Sequence, residues 1–228
     1  MPTQDSNPAL KYFDNKTLID FILTMFRAKT APLLAYEPLA IIVHTDITTA
    51  YIGLGSNLGD RAGHLLMAVR GLLDANFHIC KLSGIYETGA VEIESDASFL
   101  NMVAEVKVEG VTPSQMLARM LRIEYLLGRR EKSEKKPRTI DLDLLFYGRE
   151  RAQTPFLTIP HPRLHLRKFV LVPMAEIAPS FVHPVLHKDI RTLLEKSTDN
   201  SRVVRWNAAG NHFDKLVSSH LDRNLTKF

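Results

Sequence analysis

The chain has 228 residues, of which 45% are hydrophobic and 24% charged, and it carries a formal net charge of +4 and one cysteine, Cys80. This is the balance of a globular protein able to bury a core, which excludes a wholly disordered chain. A single cysteine excludes an internal disulfide and a Cys-based zinc site, so Cys80 is expected to be a small buried hydrophobe.

Helical spacing of Leu18, Ile19, Phe21, Ile22, Met25 and Phe26, followed by Pro32 and Pro38, predicts a short amphipathic helix and a linker within residues 1–48. The apolar run from Leu18 to Val43 is broken by Asp20, Arg27, Lys29 and Glu37. It therefore lacks the roughly 20 uninterrupted apolar residues of a membrane span. Nor has it the basic start and short apolar centre of a secretory signal, so a cytoplasmic location without membrane attachment is expected.

Thr48 to Leu54 reads as a strand, Gly55-Ser56-Asn57-Leu58-Gly59 as a tight loop and Asp60 as a helix cap. Leu65, Ala68, Val69, Leu72 and Leu73 give the following helix an apolar stripe. The strand, glycine turn and helix invite a dinucleotide-binding reading. Spacing excludes it, because Leu58 stands where the fingerprint needs its third glycine. The phosphate-binding pattern G-x-x-x-x-G-K-[ST] occurs nowhere.

One or two strands are expected between Phe77 and Thr88, and another over Phe99–Val108. Thr112, Pro113 and Gln115 form a helix start, with Thr112 as the cap, Pro113 in the first position and Gln115 closing a capping box. Met116, Met120, Ile123 and Leu127 mark the buried face, and Gly128 ends the helix. Glu124 lies in the last turn, where the helix dipole disfavours negative charge, and so implies a partner. That partner is either a neighbouring arginine, Arg129 or Arg130, or a ligand.

The window Arg129–Arg138 holds six basic and two acidic residues, so the excess positive charge of the chain is concentrated there. It suits a polyanion, either nucleic acid or the phosphates of a nucleotide, or else it is simply a solvated loop. Directly after it, Ile140-Asp141-Leu142-Asp143-Leu144 alternates as a strand does. Asp141 and Asp143 then share one face while the aliphatic residues share the other. Two adjacent carboxylates repel unless a cation lies between them. Mg²⁺ fits, because it binds oxygen ligands through one or two carboxylates together with substrate phosphates. A wet edge strand is the simpler alternative.

Gly148 to Thr154 reads as a turn region. Pro160 and Pro162 then fix the backbone around His161, which is either a phosphate contact or a turn residue. Short helices are expected over Arg167–Met174 and Leu186–Lys196. There is no internal repeat.

Four of these pieces in order, Gly55-Ser56-Asn57-Leu58-Gly59-Asp60, Phe99-Leu100-Asn101, Pro137-Arg138-Thr139-Ile140-Asp141-Leu142-Asp143 and Ile159-Pro160-His161-Pro162-Arg163, together resemble the 6-hydroxymethyl-7,8-dihydropterin pyrophosphokinases of folate synthesis. The resemblance runs from about Thr49 to about Trp206. It implies an α+β fold, a ferredoxin-like antiparallel sheet flanked by helices in three αβα layers. It further implies an N-terminal extension over 1–48, a catalytic domain over 49–206 and a C-terminal extension over 207–228.

By the same resemblance, ATP is cosubstrate with two Mg²⁺ ions, and the pyrophosphoryl group passes to the pterin hydroxymethyl oxygen with loss of AMP. Asp141 and Asp143 are then the metal ligands, and with Arg129 and Arg138 they form the catalytic group. Glu124, Arg129, Arg138, His161 and Arg167 handle ATP. Asn101 and Thr88 bind the pterin, and Phe169 and Tyr86 stack on it. The expected partners are small molecules, with no nucleic acid, and the chain is expected to be a monomer. Lys136 replaces the small residue usual before Pro137, the basic loop is about one residue short, and Thr88-Gly89-Ala90-Val91 lacks the usual prolines. The competing readings are an RNA-binding sheet, which lacks the alternating aromatics such sheets use, and a family member without catalysis.

Overall fold

The computed structural model describes residues 47–89, 98–129 and 137–207. The amphipathic helix expected near Leu18, most of both extensions and the centre of the basic loop lie outside them. The described part is a mixed structure of helices around an antiparallel sheet.

Strand β1 (Ile47–Ser56) is central. It pairs along its whole length with β4 (Phe99–Glu109), from Ile47 opposite Glu109 to Ser56 opposite Leu100. Its other edge takes β5 (Asp141–Tyr147). β2 (His78–Leu82) and β3 (Tyr86–Thr88) both pair with β4, and β8 (Val203–Arg205) extends the sheet beyond β3. The order is β5-β1-β4-β3-β8 with every pair antiparallel.

Between β1 and β2 runs α1 (Arg61–Asp74), started by Asp60, whose side chain accepts the Gly63 amide at 2.9 Å. Between β4 and β5 runs α2 (Pro113–Leu126). Its capping box forms as the sequence requires: Thr112 Oγ1 accepts the Gln115 amide, and Gln115 Oε1 accepts the Thr112 amide at 2.9 Å. Leu65, Leu72, Met116 and Met120 pack with Ile52, Leu54, Leu100 and Leu142 on one face of the sheet. Such side chains contribute about 1.5–3 kcal/mol each on full burial, which is what fixes α1 and α2 to this face.

On the opposite face, α3 (Lys168–Ile177) and α4 (Ile190–Glu195) bury Leu171, Met174 and Ile190 against Tyr51, Val103 and Phe146. The register of β1 against β5 slips between Tyr51 and Ile52, leaving Leu145 as an extra residue on β5. That bulge turns Leu145 and Phe146 toward α3 while Leu142 and Leu144 stay under α2.

Several expectations need correction. β1 continues through Gly55 to Ser56 instead of ending in a loop at Gly55. Ala152–Gln153 (β6) and Thr158–Ile159 (β7) form a small hairpin where a turn region was expected. The last helix starts at Ile190 and not near Leu186, because Asp189 caps it by accepting the Thr192 amide at 2.7 Å. Leu73 is exposed, and Cys80 is half-buried. Among the described residues no helix is long and apolar enough to cross a membrane.

Candidate active site

The strand pairings lay out the site directly. Asp141 stands opposite Gly55, Gly55 opposite Asn101, and Asn101 opposite Tyr86, so one transverse row crosses four strands. Residues directly opposite in antiparallel strands share a face. The next row, on the same face, puts Asp143 opposite Gly53 and Gly53 opposite Val103. Both aspartates thus project to the face that carries α3, away from buried Ile140, Leu142 and Leu144. The alternation read from the sequence holds.

Gly55 is what keeps that face open between Asp141 and Asn101, whereas Gly53 is covered by the Leu145 side chain. A Cβ on Gly55 would sit 3.2 Å from Asn101 Oδ1 and 4.0 Å from the Cβ of Asp141. Any larger side chain would fill the space between the carboxylates and the amide.

Around Asp141 the structure gathers three charged residues, Glu124, Arg129 and Arg138. Arg129, just past α2, bonds to both Glu124 (2.5 Å) and Asp141 through Nη1. Arg138 Nη1 donates to Asp141 Oδ2 at 2.8 Å. Burial works against the charge of Arg129, but Asp141, Glu124 and Asp143 outweigh it and raise its pKa above the ordinary value. Arg129 therefore stays a cation although its side chain is only 7% exposed. The partner that Glu124 was expected to need is Arg129, and it has a further one in the Leu142 amide, 2.7 Å from Oε1.

Arg138 is held by its backbone. Its amide donates to Asn57 Oδ1 at 2.7 Å, and the Asn57 amide donates to the Arg138 carbonyl at 3.2 Å. Asn57 was legible only as part of a motif; its hold on a residue 81 positions away was not. The Arg138 guanidinium also lies over the Phe99 ring, 5.9 Å from the centroid.

Asn101 is buried, and its Nδ2 donates to Thr88 Oγ1 at 2.9 Å. That bond leaves the Asn101 Oδ1 edge directed over Gly55. Tyr86 sits next in the row with its hydroxyl donating to Glu176 at 2.9 Å. Arg167 and Phe169, at the start of α3, are half-buried, with the guanidinium 5.5 Å from the ring centroid. His161 donates its amide to the Leu145 carbonyl at 3.0 Å, which anchors it beside β5. Burial lowers its pKa, Asp143 raises it, and Arg167 and Arg163 lower it further. Those influences place the ring in the field of both Asp143 and Arg167.

Paired carboxylates on an open sheet face suit a hard divalent cation. No group of three or more His, Cys, Asp or Glu side chains that could hold a metal comes together among the described residues. A cation here would consequently complete its shell with other oxygens, and Mg²⁺ bound through one or two carboxylates and a substrate's phosphates fits that donor set.

Acids, arginines and an amide on one sheet face could together hold an anionic ligand and its counter-cation. The model of the 7,8-dihydro-6-hydroxymethylpterin-pyrophosphokinase family matches residues 51–179, and the chain belongs to this family. It is 36% identical over 152 residues to the 2-amino-4-hydroxy-6-hydroxymethyldihydropteridine pyrophosphokinase of Aquifex aeolicus, covering 67% of this chain and 94% of that one. The enzyme of the same name from Bacillus subtilis is 46% identical over 129 residues, covering 56% and 77%. Among solved structures, Plasmodium falciparum HPPK-DHPS wild type with pterin and p-hydroxybenzoate superposes with a TM-score of 0.53 at 17% identity, covering 70% of this chain and 45% of that one. That likeness concerns the fold alone.

Proposed function

We propose that this chain transfers pyrophosphate from ATP to the hydroxymethyl group of 6-hydroxymethyl-7,8-dihydropterin, giving the pterin diphosphate and AMP, a step of folate biosynthesis. Family membership supports the reaction, and the observation that carries it to particular residues is the row Asp141, Gly55, Asn101. The row puts an acidic end and a hydrogen-bonding end on one face with nothing but glycine between them.

In this reading Asn101 and Thr88 read the hydrogen-bonding edge of the pterin, and Tyr86 and Phe169 bound its ring. Asp141 and Asp143 would hold two Mg²⁺ ions, which when bound would neutralise the triphosphate and draw charge from the attacked β-phosphorus. Arg129 and Arg138, parked on Asp141, move onto the phosphates once these arrive. The exchange is favourable because each guanidinium trades one oxyanion for another while Asp141 gains a cation. Glu124 keeps Arg129 at the site, and His161 and Arg167 meet the nucleotide from the far side of Asp143. Phosphoryl-type transfer needs positioning and charge neutralisation more than covalent help, which is what these residues supply.

The strand order β5-β1-β4-β3 with α1 and α2 on one face supports reading the architecture as ferredoxin-like, with α3 and α4 as a third layer. Residues 49–206 would form this catalytic unit, acting as a monomer. Incubating the purified protein with ATP, Mg²⁺ and 6-hydroxymethyl-7,8-dihydropterin should form AMP in equal amount to the pterin diphosphate. ADP as the product, or no turnover, rules the reading out.

A further inference from the structure

The first residue of α1 ties together both ends of the connection between β3 and β4. Arg61 Nη1 donates to the Ser98 carbonyl at 2.9 Å and to Ser98 Oγ at 2.6 Å, and lies 2.9 Å from Glu87 Oε1. Ser98 Oγ donates in turn to Glu87 Oε1 at 2.7 Å, which closes a three-residue knot. The side chains of Arg61 and Glu87 are 25% and 31% exposed, so the pair is sheltered enough to escape full solvent screening.

We infer that Arg61 is a positioning residue for the pterin half of the site, an inference that rests on the pyrophosphokinase reading above. The first rung of the ladder inside the knot pairs Thr88 with Phe99, and two residues further in Tyr86 pairs with Asn101. β3 is only three residues long, with three rungs to β4 on one edge and three to β8 on the other, and ladders that short gain from a hold at their end. The knot supplies that hold at the rung that matters. It fixes Thr88, whose hydroxyl orients Asn101, while Arg138 keeps separate anchors in Asn57 and Asp141. Glu124, Arg129 and Asp141 lie on α2, the segment after it and β5, none of which the knot touches. Losing Arg61 should therefore loosen pterin binding and leave ATP binding alone.

The test is the separate KM for each substrate in Arg61→Gln, Arg61→Lys, Glu87→Gln and the double variant Arg61→Gln/Glu87→Gln, with equilibrium binding of 6-hydroxymethylpterin followed by its own fluorescence. In Arg61→Gln the pterin KM and Kd should rise about tenfold and the ATP KM should stay within about twofold. Arg61→Lys, which keeps the charge, should recover part of the loss. The double variant should be no worse than the poorer single one, since all break the same knot. A contact serving stability alone would lower the unfolding midpoint and leave both KM values in place. That outcome, or a parallel rise in both, overturns the inference while AMP formation by the wild type keeps the parent reading. A wild type that binds no pterin overturns both.

Discussion

Glu124 accepts the backbone amide of Leu142 at 2.7 Å, so a carboxylate on α2 is bonded to the strand midway between the two site aspartates. β5 is the edge of the sheet, and its outward amides need partners that no neighbouring strand provides. Glu124 satisfies one and, with the same oxygen, holds Arg129. Glu124→Ala should therefore cost about 3 kcal/mol of stability, since it takes one of two carboxylates from a buried guanidinium and the acceptor from a buried amide. Glu124→Gln keeps an acceptor for Leu142 and should cost about half that. Urea unfolding of the two variants checks the order, and equal midpoints would mean that the contact is idle.

Asp141→Asn and Asp143→Asn should each fold and each lose about a thousandfold in AMP formation, because a neutral amide cannot hold the phosphate's counter-cation. Asp141 is bonded to both Arg129 and Arg138, so its loss leaves two neighbouring cations without their shared anion, and the unfolding midpoint of Asp141→Asn should fall below that of the wild type. Near-normal turnover in either variant contradicts the metal assignment.

Gly55→Ala tests the open floor. The new methyl would meet Asn101 Oδ1 at 3.2 Å, closer than an ordinary van der Waals contact, in space that the row otherwise leaves empty. A rise of about tenfold in the pterin KM is expected with the fold intact. Unchanged kinetics would show that the substrate does not cross this strand.

His183 gives a pH dependence unrelated to the site. It is buried, its Nδ1 accepts the amides of Val185 and Leu186 at 3.2 Å each, and burial with nearby His165 lowers its pKa from 6.5 to about 4. Between those values the unfolded chain binds a proton that the folded chain refuses. Stability is thus full above about pH 6.5 and is lost as pH falls toward about 4. His183→Asn, which retains an acceptor for the two amides, should flatten this slope in urea midpoints. Parallel slopes would contradict the neutral ring.

What could be read from the sequence was what is local. The capping box of α2 and the alternation of Asp141 and Asp143 depend on neighbours within four residues, and both appear in the fold as expected. Gly55 misled because Gly-Ser-Asn is also turn chemistry; its reason for being glycine lies in Asn101 and Asp141, remote in sequence and adjacent in the sheet. Strand β8 was invisible because three residues of Val-Val-Arg carry no periodicity, and only the edge of β3 makes them a strand. The resemblance named candidate residues for the site, whereas the hold of Asn57 on Arg138 and of Arg61 on Ser98 needed coordinates.

The transverse row also acts as a gauge. Two strand spacings of about 4.8 Å separate Asp141 from Asn101, so the face measures out roughly 10 Å between its acidic and its amide end. No side chain can adjust that span, because hydrogen bonds between backbones set it. A slip of β5 by one residue would keep the spacing and turn both carboxylates into the core under α2, so the register that buries Leu142 and Leu144 is the same one that keeps the length standard facing the substrates.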